Sequence, residues 1–390
     1  MKEDQSRIIR EQAPRSATRE HSVPLYLTSS FIFDSAEQGR AIFAEEEEGM
    51  VYSRYANPNT SEFINRVCTM EGAEAGLSFA SGMAAVFASF AGFIQNGDHI
   101  VSSRAIFGST HQLLTQLFPR WGVTHTYVDA ADVDIWENAI QENTKIIFLE
   151  SPSNPGLALY DLEQLGRLKE KYPHIIFAID NCFATPYLQK PLQYGFDLSI
   201  HSATKYMDGQ GRVLGGIIVG KKELIDKLMF FIRHTGPAMS PFNAWVLSKS
   251  LETLGLRMDR HCSNALALAE ALEKHTEIIQ VIYPFLPSHP QYELAKKQMK
   301  AGGGIVTFEV NGGQERAFRF IDHLEMIRYT SNLGDSRSIA THPGSTTHSK
   351  LSEQERVNLG IKPGTIRLSV GLEDKEDIIK DIIQALEATK

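Results

Sequence analysis

Ile175-Ile176-Phe177-Ala178-Ile179-Asp180-Asn181 and Asp197-Leu198-Ser199-Ile200-His201-Ser202-Ala203-Thr204-Lys205-Tyr206 are two short apolar runs that each end in polar residues. Runs of this length, rich in Ile and bounded by polar residues, read as strands buried on both faces. Similar runs lie at Asp98–Ser103, His125–Val128, Lys145–Glu150 and Gly216–Val219. Helical periodicity fills most of the spaces between them, at Gly82–Phe93, Ser109–Arg120 and Leu162–Lys171. Strands alternating with helices predict an α/β fold with a mainly parallel sheet covered on both faces. In such sheets ligands collect outside the carboxyl ends of the strands, so those ends carry the chemistry.

At those ends one strand offers a carboxylate, Asp180, and the other offers two hydroxyls and an amine, Ser202, Thr204 and Lys205. A pyridoxal cofactor needs this set. A buried carboxylate keeps the pyridine nitrogen protonated, a lysine forms the Schiff base, and hydroxyls suit the phosphate. Singly, Lys205 reads as a surface lysine and Asp180 as a helix cap. Ser202-Ala203-Thr204-Lys205 also fits the S-x-x-K pattern of penicillin-recognising enzymes. That pattern needs S-D-N and K-T-G partners, and neither occurs in the chain.

Four further stretches fit the same cofactor. Phe79-Ala80-Ser81-Gly82-Met83 passes from a strand-like run into a helix start, where backbone amides face an anion; alone it reads as an N-cap. Tyr52-Ser53-Arg54 pairs an aromatic ring with a guanidinium able to grip phosphate bidentately, or forms a solvated loop. Glu150-Ser151-Pro152-Ser153-Asn154-Pro155 holds Asn154 between prolines where a cofactor hydroxyl could lie, or is an Asn-Pro turn. Arg367, inside the apolar run Ile366–Val370, needs an anionic partner, either a ligand carboxylate or a structural acid. His342 and His348 have poor spacing for a metal, and no metal site is expected. Cys182 reads as a small core hydrophobe near Asp180.

The remaining chain frames this centre. Residues 1–60 read as an irregular arm, rich in proline, with Glu45–Glu48 as one solvated helix face. Residues 61–240 carry the cofactor motifs. Residues 241–390 begin helix-rich at Asn243–Lys274 and form a smaller α/β portion, with strands at Gly304–Val310 and Ile366–Val370 and a closing helix at Lys375–Leu386. The 39 Lys and Arg against 47 Asp and Glu give a net charge of −8, which offers nothing to nucleic acid or an anionic membrane. No apolar stretch is long enough for a membrane helix, and three scattered cysteines suggest a reducing cytoplasm.

Together the motifs resemble the trans-sulfuration group of pyridoxal-5′-phosphate (PLP) enzymes, over nearly the whole chain and most specifically at His201–Tyr206. The resemblance implies fold type I, the aspartate-aminotransferase-like fold. It implies Lys205 as the Schiff-base lysine and Asp180 as partner of the pyridine nitrogen. Gly82, Met83, Ser202 and Thr204 would bind phosphate, with Tyr52 and Arg54 reaching in from a neighbouring subunit. Asn154 would lie near the cofactor 3′-oxygen, and Arg367, with Asn332 nearby, would bind the substrate carboxylate. Sharing of sites implies a dimer, which the family usually doubles to a homotetramer. Ile106-Phe107-Gly108, Asp208–Arg212, Ser240–Trp245 and Asn332–Asp335 look most like the O-succinylhomoserine sulfhydrylase branch. Phe107 stands where most members stack a tyrosine, Ser109 where methionine γ-lyases carry cysteine, and Ser331 where cystathionine γ-lyase-like members carry glutamate. These departures point to a transferase that replaces the γ-substituent of an O-acylhomoserine by sulfide. Cystathionine γ-synthase, O-acetylhomoserine sulfhydrylase, methionine γ-lyase and a non-catalytic PLP-binding protein remain alternatives. No succinate clamp is evident among Arg54, Arg104, Arg212 and Arg337.

Overall fold

Apolar runs buried on both faces build the sheet that carries the site. In a computed structural model, which describes residues 4–129 and 132–390, seven strands form this sheet. They are β1 (Ala75–Phe79), β2 (His99–Ser103), β3 (Thr124–Val128), β4 (Thr144–Glu150), β5 (Ile176–Asp180), β6 (Leu198–Ser202) and β7 (Gly216–Gly220). Their order is β1-β7-β6-β5-β4-β2-β3. The ladders from β3 through β6 are parallel, and β7 runs antiparallel to both β6 and β1. Ile146, Phe148 and Ala178 pack on one face with Phe90 of the helix Gly82–Ala91. Ile147, Leu149, Phe177 and Ile179 pack on the other with Leu165 of the helix Leu162–Lys171. Each such side chain contributes about 1.5–3 kcal/mol when fully buried, so both faces are apolar and polar residues are pushed to the strand ends.

Every strand expected in this sheet is present to within a residue at each end. The expected helix Ser109–Arg120 is instead three pieces: α at Gly108–Gln112, π at Leu113–Leu117 and 3-10 at Phe118–Trp121. Pro119 lacks the amide a continuous helix would use there. The helix-rich stretch forms two helices, Pro241–Leu251 and Leu254–Glu273, and Lys375–Ala388 closes the chain.

A second sheet contains β8 (Ile278–Ile282), β9 (Ile305–Val310), β10 (Arg328–Tyr329), β11 (Ile339–Thr341) and β12 (Thr365–Ser369), ordered β10-β11-β12-β9-β8. Its ladders are antiparallel except β10 with β11.

Two readings of the N-terminal region are corrected. It holds helices at Asp4–Arg10 and Ala36–Phe43, so it is not irregular throughout. Glu45–Glu48 follows the second helix instead of lying on its face, because Glu45 takes a positive φ of 59° that ends the helical path. The four carboxylates are exposed, as solvated charges should be. Among the described residues, no helix is long and apolar enough to cross a membrane.

Candidate active site

The carboxyl ends of β4, β5 and β6 bring Glu150, Asp180 and Ser202 to one edge. Register places Glu150 opposite Asp180, and Asp180 opposite Ile200. Asp180 Oδ1 accepts the Cys182 amide at 3.0 Å. Burial raises the Asp180 carboxyl to about 6, while the Cys182 amide and His201 oppose the rise. An acid held this way gains from a cationic partner such as a protonated ring nitrogen. His201 lies one residue before Ser202, its Nε2 2.7 Å from Glu71 Oε1, which also accepts the Ser199 hydroxyl at 2.7 Å. This buried network was not anticipated.

β6 turns directly into Ala203-Thr204-Lys205. The Lys205 ammonium donates to Asn332 Oδ1 at 2.5 Å. Burial lowers the Lys205 pKa; the Cys182 thiol opposes this and the Arg367 charge adds to it. A lysine in that condition releases its proton readily and can act as nucleophile or base.

The helix Gly82–Ala91 starts against Ser202. Ser81 caps it, its hydroxyl accepting the Ala84 amide at 3.1 Å, and the Ala85 amide donates to the Ser81 carbonyl. The Gly82 and Met83 amides, having no intrahelical partner, are left for a ligand. A Cβ on Gly82 would lie 2.6 Å from Ser202 Cβ, so only glycine lets the helix start sit this close to β6. Among the described residues, Ser202 Oγ has no hydrogen-bond partner, whereas the Thr204 hydroxyl is engaged with both the amide and the carbonyl of Gly215.

Arg367 rises from the middle of β12, 1% exposed. It donates from Nη1 to Asn154 Oδ1 at 3.0 Å and from Nη2 to the Asn332 carbonyl at 3.1 Å. Longer contacts reach the Ser331 carbonyl and Thr341 Oγ1, both at 3.4 Å. All these partners are neutral, and Nε has none. Burial alone pulls the guanidinium down to about 10. A buried cation held only by neutral oxygens, with one N–H free, is short of a negative counter-charge.

These features fit PLP: an amine for its aldehyde, a buried acid for its ring nitrogen, and a bare glycine turn beside a free hydroxyl for its phosphate. The sequence model of the Cys/Met metabolism PLP-dependent enzymes matches residues 5–387. The chain belongs to this family. It is 45% identical to an O-succinylhomoserine sulfhydrylase of Pseudomonas aeruginosa over 97% of this chain and 94% of that protein. It is 42% identical to an L-methionine gamma-lyase of Fusobacterium nucleatum over 94% and 93%. Among solved structures, a putative O-acetylhomoserine (thiol)-lyase of Campylobacter jejuni superposes with a TM-score of 0.94 at 34% identity, covering 98% of this chain and 99% of that one. That structure carries N′-pyridoxyl-lysine-5′-monophosphate at its position 205. PLP is therefore the cofactor of this family member, and the fold is type I.

The other anticipated residues are placed less uniformly. Phe107, at the end of the β2 loop, donates its amide to Glu150 Oε2 at 2.8 Å. Asn154 lies against Arg367. Tyr52 and Arg54 stay apart from Lys205, Asp180 and Arg367: the guanidinium stacks 4.6 Å from the Tyr55 ring and donates to the Arg233 carbonyl. Of the four arginines weighed for an acyl group, Arg104, Arg212 and Arg337 already pair with Asp129, Asp208 and Asp335. His342 is held by Ser345 and the Pro363 carbonyl. Among the described residues no group of three acids, histidines or cysteines could hold a metal. Glu150 went unread because a carboxylate closing a buried strand gives the same signal as Asp180; only register shows that two such acids meet.

Proposed function

We propose that the protein is a transferase that replaces the γ-substituent of an O-acylhomoserine, taking O-succinylhomoserine and sulfide to homocysteine and succinate. The observation that carries this reading is the bridge from Lys205 through Asn332 to Arg367. It puts a proton-accepting amine and a guanidinium without an anionic partner on one asparagine, the two groups an α-amino acid engages through its amine and carboxylate. The Pseudomonas relative, an O-succinylhomoserine sulfhydrylase, supports the succinyl ester.

In this reading PLP, attached through Lys205, withdraws electrons from the substrate carbons next to its amino group. Arg367 fixes the α-carboxylate, and Asn332 and Asn154 hold the guanidinium in plane. Asp180 keeps the ring nitrogen protonated. With PLP bound and its amine free, Lys205 Nζ would take the Cα proton, give it up, and then take a Cβ proton, returning protons to the product carbons after succinate has left Cγ and sulfur has added there. The lowered proton affinity of Lys205 suits each transfer. Phe107 stacks on the ring through its aromatic face and has no phenol to share this work. Gly82, Met83, Ser202 and Thr204 hold the phosphate.

Tyr52 and Arg54 complete the phosphate site of a second copy. Supporting this, the N-terminal arm exposes Leu27, Ile32 and Phe43 at 68%, 96% and 66%, apolar surface that a partner subunit would cover. We propose an arm at 1–60, a PLP-binding domain at 61–240, a C-terminal domain at 241–390, and a cytoplasmic homotetramer of site-sharing dimers.

The test supplies O-succinyl- or O-acetylhomoserine, each with sulfide or cysteine, and identifies the products. Homocysteine from the succinyl ester and sulfide is the expected result. Cystathionine as main product makes the protein a γ-synthase, and methanethiol from methionine alone, at a comparable rate, makes it a lyase.

A further inference from the structure

Glu150 has no part in the chemistry above, yet it is 5% exposed and ends β4 beside Asp180. Its Oε2 accepts the Phe107 amide at 2.8 Å. β2 ends at Ser103, and the helix after Phe107 runs only from Gly108 to Gln112. Within the intervening loop, the Arg104 amide reaches the Val128 carbonyl, Ile106 is buried, and the Phe107 carbonyl accepts the His111 amide at 3.0 Å, which ties it to its own helix; the bond to Glu150 ties Phe107 to the end of β4. From the other side, Gly108 sits under the Thr347 carbonyl, which a Cβ would approach to 3.1 Å. The Phe107 amide is thus tied to a carboxyl at the end of β4, and the neighbouring Gly108 leaves little room for movement toward Thr347.

We propose that Glu150 is a positioning residue that fixes the Phe107 backbone and thereby sets how the Phe107 ring lies against the cofactor. The inference rests on Phe107 being the stacking residue. Glu150 does this as a neutral acid. Burial and the adjacent Asp180 charge raise its carboxyl well above the usual carboxylate range, with the Phe107 amide and Arg367 opposing. A neutral carboxyl still accepts the amide. An ionised one would increase the proton affinity of Asp180 and compete for Arg367 with the substrate carboxylate. The site therefore needs the shape and the acceptor of glutamate at this position, and not its charge.

The test uses PLP-loaded Glu150→Gln, Glu150→Met, Glu150→Asp and Phe107→Leu, read by visible-region circular dichroism of the bound cofactor and by separate kcat and KM. Glu150→Met is expected to reduce the dichroic signal and lower kcat about tenfold, the size of one lost hydrogen bond, with KM little moved. Phe107→Leu should alter the signal in the same direction, and Glu150→Gln should restore it. Glu150→Asp, one methylene too short to reach the amide, gives the same comparison if the Met variant does not fold. If Glu150→Met and Glu150→Asp keep the parent signal while Phe107→Leu loses it, the inference is overturned. If Phe107→Leu itself leaves the signal intact, the stacking reading is what has failed. A Gln variant as impaired as Met shows that the charge is needed and overturns the neutral-acid argument.

Discussion

Gly82→Ala tests the phosphate cradle with a single methyl group. The new Cβ would stand 2.6 Å from Ser202 Cβ, 2.7 Å from its Oγ and 3.0 Å from its Cα. Carbon atoms pack at about 3.5–4.0 Å, and the Ser202 Cα belongs to β6, so turning a side chain does not relieve the clash. The start of the helix Gly82–Ala91 must retreat by about 1 Å. That retreat stretches a phosphate hydrogen bond from about 2.9 Å to about 3.9 Å, beyond bonding range. Bonds to a charged group contribute about 1.5–3 kcal/mol each, so losing the Gly82 and Met83 amides weakens PLP retention by about 100-fold or more. The apoprotein suffers less. Overpacking costs about 1–3 kcal/mol, and alanine recovers up to about 1 kcal/mol by restricting the unfolded chain. The assay is bound cofactor after dialysis against graded PLP, with melting curves of both forms. The gap between holo and apo melting temperatures should shrink. Parent-like retention together with an unchanged gap would refute the reasoning.

Arg367→Leu should lower kcat/KM about 100-fold or more through loss of a charge-assisted carboxylate contact. It should not lower the melting temperature, because it removes a buried cation that has only neutral partners; intact catalysis with a large melting loss would assign Arg367 to structure. Lys205→Ala should abolish turnover and, after borohydride reduction, show no cofactor-linked lysine by mass spectrometry; substantial turnover would remove Lys205 from the scheme. Asp180, raised to about 6 from an unfolded value of about 3.9, favours folding in its protonated form. Its share of apoprotein stability is full below about pH 4 and lost as pH rises through about 6. Apo Asp180→Asn should lack that decline in a melting series across this range, and identical slopes for the two proteins would contradict it.

The central strands of the larger sheet were legible because they are unbroken apolar runs. Ile176–Ile179 and Ile146–Leu149 are buried on both faces, and no amphipathic alternative competes for them. β8 was not, since its pattern is half exposed, and β10 and β11 have only two and three residues. Lys205, Asp180 and Arg367 could be singled out because a charge next to or inside an apolar strand needs a reason. Glu150, Glu71 and His201 sit in equally apolar settings. Their roles depend on which distant residue they meet, across the ladder for Glu150 and from the end of the helix Pro58–Glu71 for His201, and no single run of sequence carries that information. The contact between Asn154 and Arg367 spans the two sheets and was equally out of reach.

That contact also explains why the site needs both sheets. The larger sheet supplies the amine and the acid, Lys205 and Asp180, and the smaller one supplies the cation, Arg367. Each half alone leaves a buried charge without its counterpart. Neutral amides link these charged groups: Asn154 from the end of β4 on Arg367, and Asn332 from the strand-poor segment before β11, through its side chain on Lys205 and its backbone carbonyl on Arg367. A carboxylate at position 154 would satisfy Arg367 permanently, and one at position 332 would hold the proton on Lys205. Neutral linkers leave the guanidinium short of a negative charge and the amine short of a strong acceptor. An amino acid whose carboxylate and amino group bind together completes both, and binding then depends on the substrate carrying the charge that the protein withholds.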